Sequence, residues 1–426
     1  MSIDAIALIL FVFGMVFLVI KDRKKIEIKG IAIIWRTKKG KSFIEKLARW
    51  KYWNLYFDIG IIISFAAMLY GLFFLVENTI KILKGFITPS LALVLPTASS
   101  TFSFSPGILF VPATYWIFGI AAIILIHEPA HAIACIKNKI RIKSFGWLLF
   151  LIIPGAFVEP DENKLKSSST RKKLRIYCAG SFSNLIFAAF VILLMHLILF
   201  FFFDFKGLYF SYPFATINKS DIINISEYDD VLLKVITKEN ASYLIFKEQY
   251  EKQKNKENLL VFEDVPSVRA HLSGSIREIN GIEINSKDDL AKVLSHLKPG
   301  DEVIVNTTTG TYRITLSEHP LDKTRGYLGV VVIDDPFMSA IAPFKIKNFE
   351  VKQTFLPAKP FFDWLLNLLS WISLISIAVA IVNMLPMKPF DGGLSFEAIT
   401  SKSLANYTSI IVFFLLVFNF FMPIFR

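Results

Sequence analysis

His127, Glu128 and His131 form an H-E-x-x-H motif inside the apolar run 123–134. On a helix, positions i and i+4 share one face. The two imidazoles can therefore bind one Zn²⁺, and the glutamate between them can act as base toward water at the metal. The plain alternative is a pair of polar residues satisfied by neighbouring helices. Titratable groups at membrane depth, however, are seldom kept without a task.

The elements that must hold this motif are membrane spans. The chain of 426 residues is 54% hydrophobic with 42 Phe, and several runs are long enough to cross the roughly 30 Å apolar core of a bilayer. A net charge of +12 gathers beside those runs, which is the pattern of membrane topology and excludes a nucleic-acid partner. Cys135 and Cys178 are the two cysteines, so no disulfide framework is implied. The expected fold class is a polytopic α-helical membrane protein of about six spans with a re-entrant hairpin and an extracytoplasmic α+β domain.

Spans are expected at about 4–20, 54–77, 106–136, 176–203, 361–386 and 404–422. The first has no small-residue cleavage pattern and reads as retained. Residues 1–105 then hold two spans and their connections, and 106–203 the first part of a membrane core. Residues 204–360 form an exterior region, and 361–426 hold the last core span and a C-terminal span. Basic residues between Lys21 and Lys51 and from Lys137 to Lys143 place those segments in the cytoplasm. His127 and His131 then lie roughly 8–15 Å below the cytoplasmic surface.

Residues 145–158 are apolar, too short to cross and flanked by basic sequence. They read as a re-entrant hairpin lying against the site, with an interfacial helix as the alternative. Asn184, early in the fourth span, matches the depth of His127. Outside the membrane, residues 261–330 read strand, turn, strand, helix, turn, strand. This order resembles a PDZ domain, and an ordinary small α+β domain with a steric role is the alternative. Residues 205–260 are rich in Lys and Asn and carry no pattern that assigns them.

Two histidines leave a catalytic tetrahedral zinc short of one protein ligand. Asp391, in Asn383-Met384-Leu385-Pro386-Met387-Lys388-Pro389-Phe390-Asp391-Gly392-Gly393, arrives at the matching depth where two prolines break the fifth span. The following glycines are expected to let the backbone turn tightly. His196 lies roughly 30 Å from the cytoplasmic face and is disfavoured. Glu159, at the end of the hairpin, reads as a surface or gating carboxylate.

H-E-P-A-H, the hairpin ending P-G-A-F-V-E-P-D, K-L-R-I-Y-C-A-G-S-F-S-N, the PDZ-like insert and N-M-L-P-M-K-P-F-D-G-G resemble, in this order, the site-2 protease family of intramembrane zinc metalloproteases. The resemblance covers about 106–393. It implies one Zn²⁺ per chain on His127, His131 and Asp391, Glu128 as catalytic base, and Asn184 near the reacting carbonyl as an oxyanion donor. The sequence departs from the family pattern at Ala130 and Ser181, both small replacements that touch neither ligand nor base.

The substrate implied is a membrane-spanning protein within the lipid bilayer, cut in or near its helix in the cell membrane, with the active site nearer the cytoplasmic side. Such a helix must unwind. Gly155, Ala156 and Phe157 of the hairpin are expected to bind it by strand addition, with Asn383 and Pro386 beside them. The PDZ-like domain would contact peptides or filter ectodomains by size. A membrane-anchored protease acting on unfolded segments, a catalytically silent scaffold and a transporter are the competing readings. The apolar flanks of the motif, the retention of all four polar groups and the lack of a repeat weigh against each in turn.

Overall fold

The computed structural model describes residues 2–23, 26–29, 32–37, 40–84, 91–105, 107–150, 153–254, 257–332 and 349–425. They fall into two units, Met1–Met195 with Phe362–Arg426, and His196–Phe361. Six helices among the described residues are long and apolar enough to cross a membrane. In chain order the first unit contains α1 (Ile3–Lys21), the short α2 (Lys41–Leu47), α3 (Trp53–Leu83) and α4 (Ala113–Lys137). It continues with α5 (Glu162–Lys166), α6 (Thr170–Tyr177) and α7 (Ala179–Phe202). After the second unit come the helices Lys359–Asn383, Asp391–Ile399 and Lys402–Phe425.

The spans differ from expectation mainly at their outer ends. The third begins at Ala113 rather than at 106, because Ile108–Pro112 is a strand; Pro112 stops it and opens the helix. The connection between α3 and α4 carries this strand and two others, Leu93–Thr97 and Ser103–Ser105. Asp4 of α1 supplies the missing cap of α4: its Oδ1 accepts from the Thr114 backbone N (3.0 Å) and hydroxyl (2.7 Å). It is the buried residue of an otherwise outward-facing first span.

The hairpin is a β-hairpin, Ile142–Phe150 paired with Ile153–Pro160, and the turn at 151 and 152 lies outside the described residues. The interfacial-helix alternative is set aside. Numbering strands in chain order, β1 (Ile26–Lys29) and β2 (Ala32–Thr37) precede β3 (Leu93–Thr97), β4 (Ser103–Ser105), β5 (Ile108–Pro112), β6 (Ile142–Phe150) and β7 (Ile153–Pro160). The basic connection between the first two spans thus holds two strands, and the sheet order is β1-β2-β6-β7. Lys24 and Lys25 lie outside the described residues. Pairing β2 with β6 leaves β7 as one open edge, packed beside α4.

Side chains lock this sheet. Gly146 faces Phe157 across the β6–β7 pair, where a Cβ would strike the phenyl ring, and Arg36 of β2 lies over that ring at 5.9 Å. Arg36 Nε also donates to Glu159 at 3.2 Å, and the Ser144 hydroxyl donates at 2.5 Å. The Ser144 hydrogen bond, followed by Arg36, holds the Glu159 carboxyl below the usual carboxylate range. Glu159 therefore ties the N-terminal hairpin to β7.

In the second unit, the stretch without a sequence assignment folds as a five-stranded antiparallel sheet over Phe214–Glu263. Val235, Ile245, Leu259 and Val261 pack as its core. The segment read as PDZ-like contains the strands Ile276–Ile279 and Ile282–Glu283, the helix Lys287–Ser295 and the strand Glu302–Thr307, extended by Thr311–Thr315. Asn280 and Gly281 take positive φ at the first turn, as a two-residue hairpin demands. Ile276, Ile279, Val303 and Val305 are fully buried between sheet and helix.

Within the first unit α3 is pinned to the last span by an amide pair, Asn78 Nδ2 to Asn419 Oδ1 at 2.6 Å, and Asn419 donates in turn to the Thr79 hydroxyl at 2.7 Å. Asn78→Ala should lower stability by about 1 kcal/mol, the scale of polar pairs between membrane helices. Denaturant unfolding of the full chain in bilayer discs measures this.

Candidate metal centre

The motif lies on α4, which runs unbroken through Pro129. One helical turn separates the histidines, and their Nε2 atoms stand 3.2 Å apart. Asp391 reaches them from the first turn of the helix Asp391–Ile399, its Oδ2 lying 3.3 Å from each Nε2. The chain between this helix and the preceding span reverses within residues 384–390. Here the glycines act by close approach rather than by a left-handed turn. A Cβ on Gly392 would strike the Met384 carbonyl, and one on Gly393 the Met387–Lys388 backbone.

Whether these atoms fit zinc follows from their separations. Ligands about 2.0 Å from a tetrahedral ion lie about 3.3 Å from one another, which is the edge of this triangle. The proton inventory agrees. His131 Nδ1 lies 2.7 Å from the Ile176 carbonyl, so Nδ1 carries the hydrogen and Nε2 presents a lone pair. His127 Nδ1 lies 3.1 Å from the Asn184 side-chain amide. Asn184 Oδ1 has no hydrogen-bond partner among the described residues. Exchanging the amide's equally sized groups turns that oxygen to Nδ1–H and frees the second Nε2 as well. Three lone-pair atoms then face each other at hydrogen-bond distance in a buried place, and Asp391 Oδ2 makes no hydrogen bond among the described residues. A divalent cation satisfies all three.

Asn184 is fully buried, and its amide faces Nδ1 of His127, the nitrogen remote from the ligand triangle, where it is placed to orient the ring. Glu128, next to His127 in sequence on α4, stands beside Val158 of β7 and shares its electrostatic surroundings with His127, His131 and Asp391. The hairpin residues Gly155, Ala156 and Phe157 are half-buried, as is Asn383, while Pro386 is buried. His196 and Glu159 are outside the metal-type group.

Gly180, on α7, leaves room for the histidines: a Cβ there would lie 2.6 Å from His127 Cε1 and Nε2 and closer still to His131 Nε2. The Ile176 carbonyl, being backbone, left no sequence signal at all.

Fold and site together define a multi-pass membrane protein with a His-His-Asp group of metal-binding type carried on two of its helices. The profile of peptidase family M50 matches residues 115–422, and the chain belongs to this family, the site-2 protease family, whose members are zinc metalloproteases. It is similar to an uncharacterized protein of Methanocaldococcus jannaschii, 27% identical over 409 residues, 92% of this chain and 85% of that protein. It is also similar to a membrane-bound transcription factor site-2 protease homolog of Arabidopsis thaliana, 29% identical over 102 residues, 24% of this chain and 20% of that protein.

Two measurements follow. Purified protein should hold one zinc per chain, and Asp391→Ala should lose it; equal zinc in both would remove Asp391 from the site. Gly180→Ala should weaken zinc binding by roughly tenfold or more, read by chelator competition, because its methyl group enters the ligand triangle.

Proposed function

We propose that the chain is a zinc-dependent intramembrane endopeptidase that hydrolyses a peptide bond in or near a membrane-spanning segment of a tethered protein. The observation that carries this reading is the triangle of two Nε2 atoms and one carboxylate oxygen at 3.2–3.3 Å, adjoining Glu128 on apolar α4. A zinc held there would supply Lewis acidity, polarising a carbonyl and making water acidic near neutral pH. Glu128 takes the proton from the attacking water at its carboxylate and returns it to the leaving nitrogen. Asn184 and the Ile176 carbonyl hold the two imidazoles in the tautomer that leaves each Nε2 free.

A substrate helix must surrender its internal hydrogen bonds to expose a carbonyl, and in lipid those groups need new partners. The open edge of β7 provides them. Pro154, paired with Leu149, has no N–H to give β6, and the two-residue alternation of a strand directs the Ala156 N–H, like that of Val158, away from β6. Pro160 shares that orientation and has no N–H, so Ala156 and Val158 carry the N–H groups of this edge. Gly155 instead faces Leu148 in the ladder to β6.

This edge and the site lie in the bilayer nearer the cytoplasmic side, as the basic flanks of α4 and α6 support. The PDZ-like second unit then stands on the exterior, where it limits substrates to those with small ectodomains.

Cleavage assays in bilayer discs test the reading. Glu128→Gln should retain zinc and lose activity by a factor of about 10² or more. Ala156→Pro should reduce cleavage of a helical substrate more than that of an already extended one, since only the former needs the strand edge; equal losses would count against strand addition. Zinc-loaded protein that cleaves no membrane-spanning peptide would overturn the proteolytic assignment.

A further inference from the structure

We infer that Asp58, in the second span, is a positioning residue for the metal centre, acting through Arg175 and α6 on the histidine pair. Resting on the zinc reading above, this gives the N-terminal part of the chain, which precedes the family match at residues 115–422, a place in the chemistry.

Asp58 is the acceptor for two arginines one turn apart on α6. Its carboxylate takes bonds from Arg175 Nε at 2.7 Å and Nη2 at 2.5 Å, and from Arg171 Nε at 3.1 Å and Nη2 at 2.7 Å. The Arg171 side chain is 70% exposed and contributes little, whereas that of Arg175 is 15% exposed, so its fork is held in one geometry. The next residue along is Ile176. It lies in the last turn of α6, where carbonyls have no partner within the helix, and its oxygen accepts from His131 Nδ1 at 2.7 Å.

The same face of α3 follows the chain as it passes from α6 into α7. The Ser64 hydroxyl lies 3.4 Å from the Cys178 carbonyl, and Gly60 admits the Phe182 ring, which a Cβ would meet at 2.6 Å. The Tyr56 and Ser183 hydroxyls are 2.9 Å apart, and Asn184 follows with its contact to His127. Both groups that orient the imidazoles from behind therefore come from a segment, Arg175 to Asn184, that α3 braces. Since α6 packs against α3, α4 and the helix that starts with Asp391, a shift of α6 reaches all three ligands. Asp58 contacts neither metal nor substrate and acts by fixing where the Ile176 carbonyl stands.

The test compares zinc affinity, by chelator competition, and the visible spectrum of the Co²⁺-substituted full-length protein in bilayer discs. Wild type, Asp58→Asn, Asp58→Glu and Asn78→Ala are measured together. Asp58→Asn should weaken zinc binding roughly 10–100-fold and alter the cobalt bands, the scale of losing an outer-shell partner. Asp58→Glu should recover part of the affinity. Asn78→Ala loosens α3 elsewhere and should leave both readouts unchanged. Should Asp58→Asn fail to accumulate, Arg175→Gln gives the same comparison from the other side. Wild-type affinity and spectrum in Asp58→Asn, or an equal change in Asn78→Ala, would overturn the inference. A wild-type protein that binds no zinc would instead refute the zinc reading on which it rests.

Discussion

Two imidazole nitrogens and a carboxylate oxygen, each presenting electron pairs, meet within 3.3 Å of one another inside an apolar bundle. Left alone they repel, and burial amplifies that repulsion because little water is present to screen it. The arrangement is tenable when a cation sits among them, and much of the surrounding structure holds it open for one. Gly180 keeps a methyl group out of the triangle, while Gly392 and Gly393 let the backbone that carries Asp391 fold tightly against residues 384–388. Hydrogen bonds at both Nδ1 atoms settle which nitrogen faces inward.

Holding such a centre in a membrane limits which backbone can surround it. Helices satisfy their own polar groups; a strand does not, unless other strands or a ligand complete it. The four-stranded sheet meets this demand on one side by joining β1 and β2 to β6, and Arg36, Phe157 and Glu159 fasten the joint. On the other side β7 stays open beside α4. That strand packs against α4, the helix that carries Glu128 and both histidines.

The second unit illustrates how sheets escape detection when their strands alternate imperfectly. Residues 214–263 contain enough Lys and Asn to look irregular, yet Val235, Ile245, Leu259 and Val261 close a core from three different strands. No single segment there is apolar enough to announce itself. The neighbouring strands Ile276–Ile279 and Glu302–Thr307 were easier to read because the Asn280-Gly281 turn and Pro299-Gly300 mark their limits.

Everything that depends on neighbours along the chain was legible beforehand: six apolar runs, the i, i+4 histidines with Glu128 between them, and the proline-broken span that delivers Asp391. Periodicity and spacing are local properties, and span topology adds a depth coordinate that brought Asp391 to the histidines without a structure. Pairings across the chain were not legible. The partnership of β1–β2 with β6 joins residues more than a hundred positions apart, and the third span's start depended on a strand that pairs with Leu93–Thr97. Asn184 had been placed by depth, but that its amide meets His127 at Nδ1 turned on the rotation of α7, which hydropathy does not report. Asp58 and the Ile176 carbonyl are the extreme case. A lone carboxylate and a backbone oxygen have no pattern of their own, and they gain a role only because tertiary packing sets α6 between α3 and the two helices that carry the metal ligands.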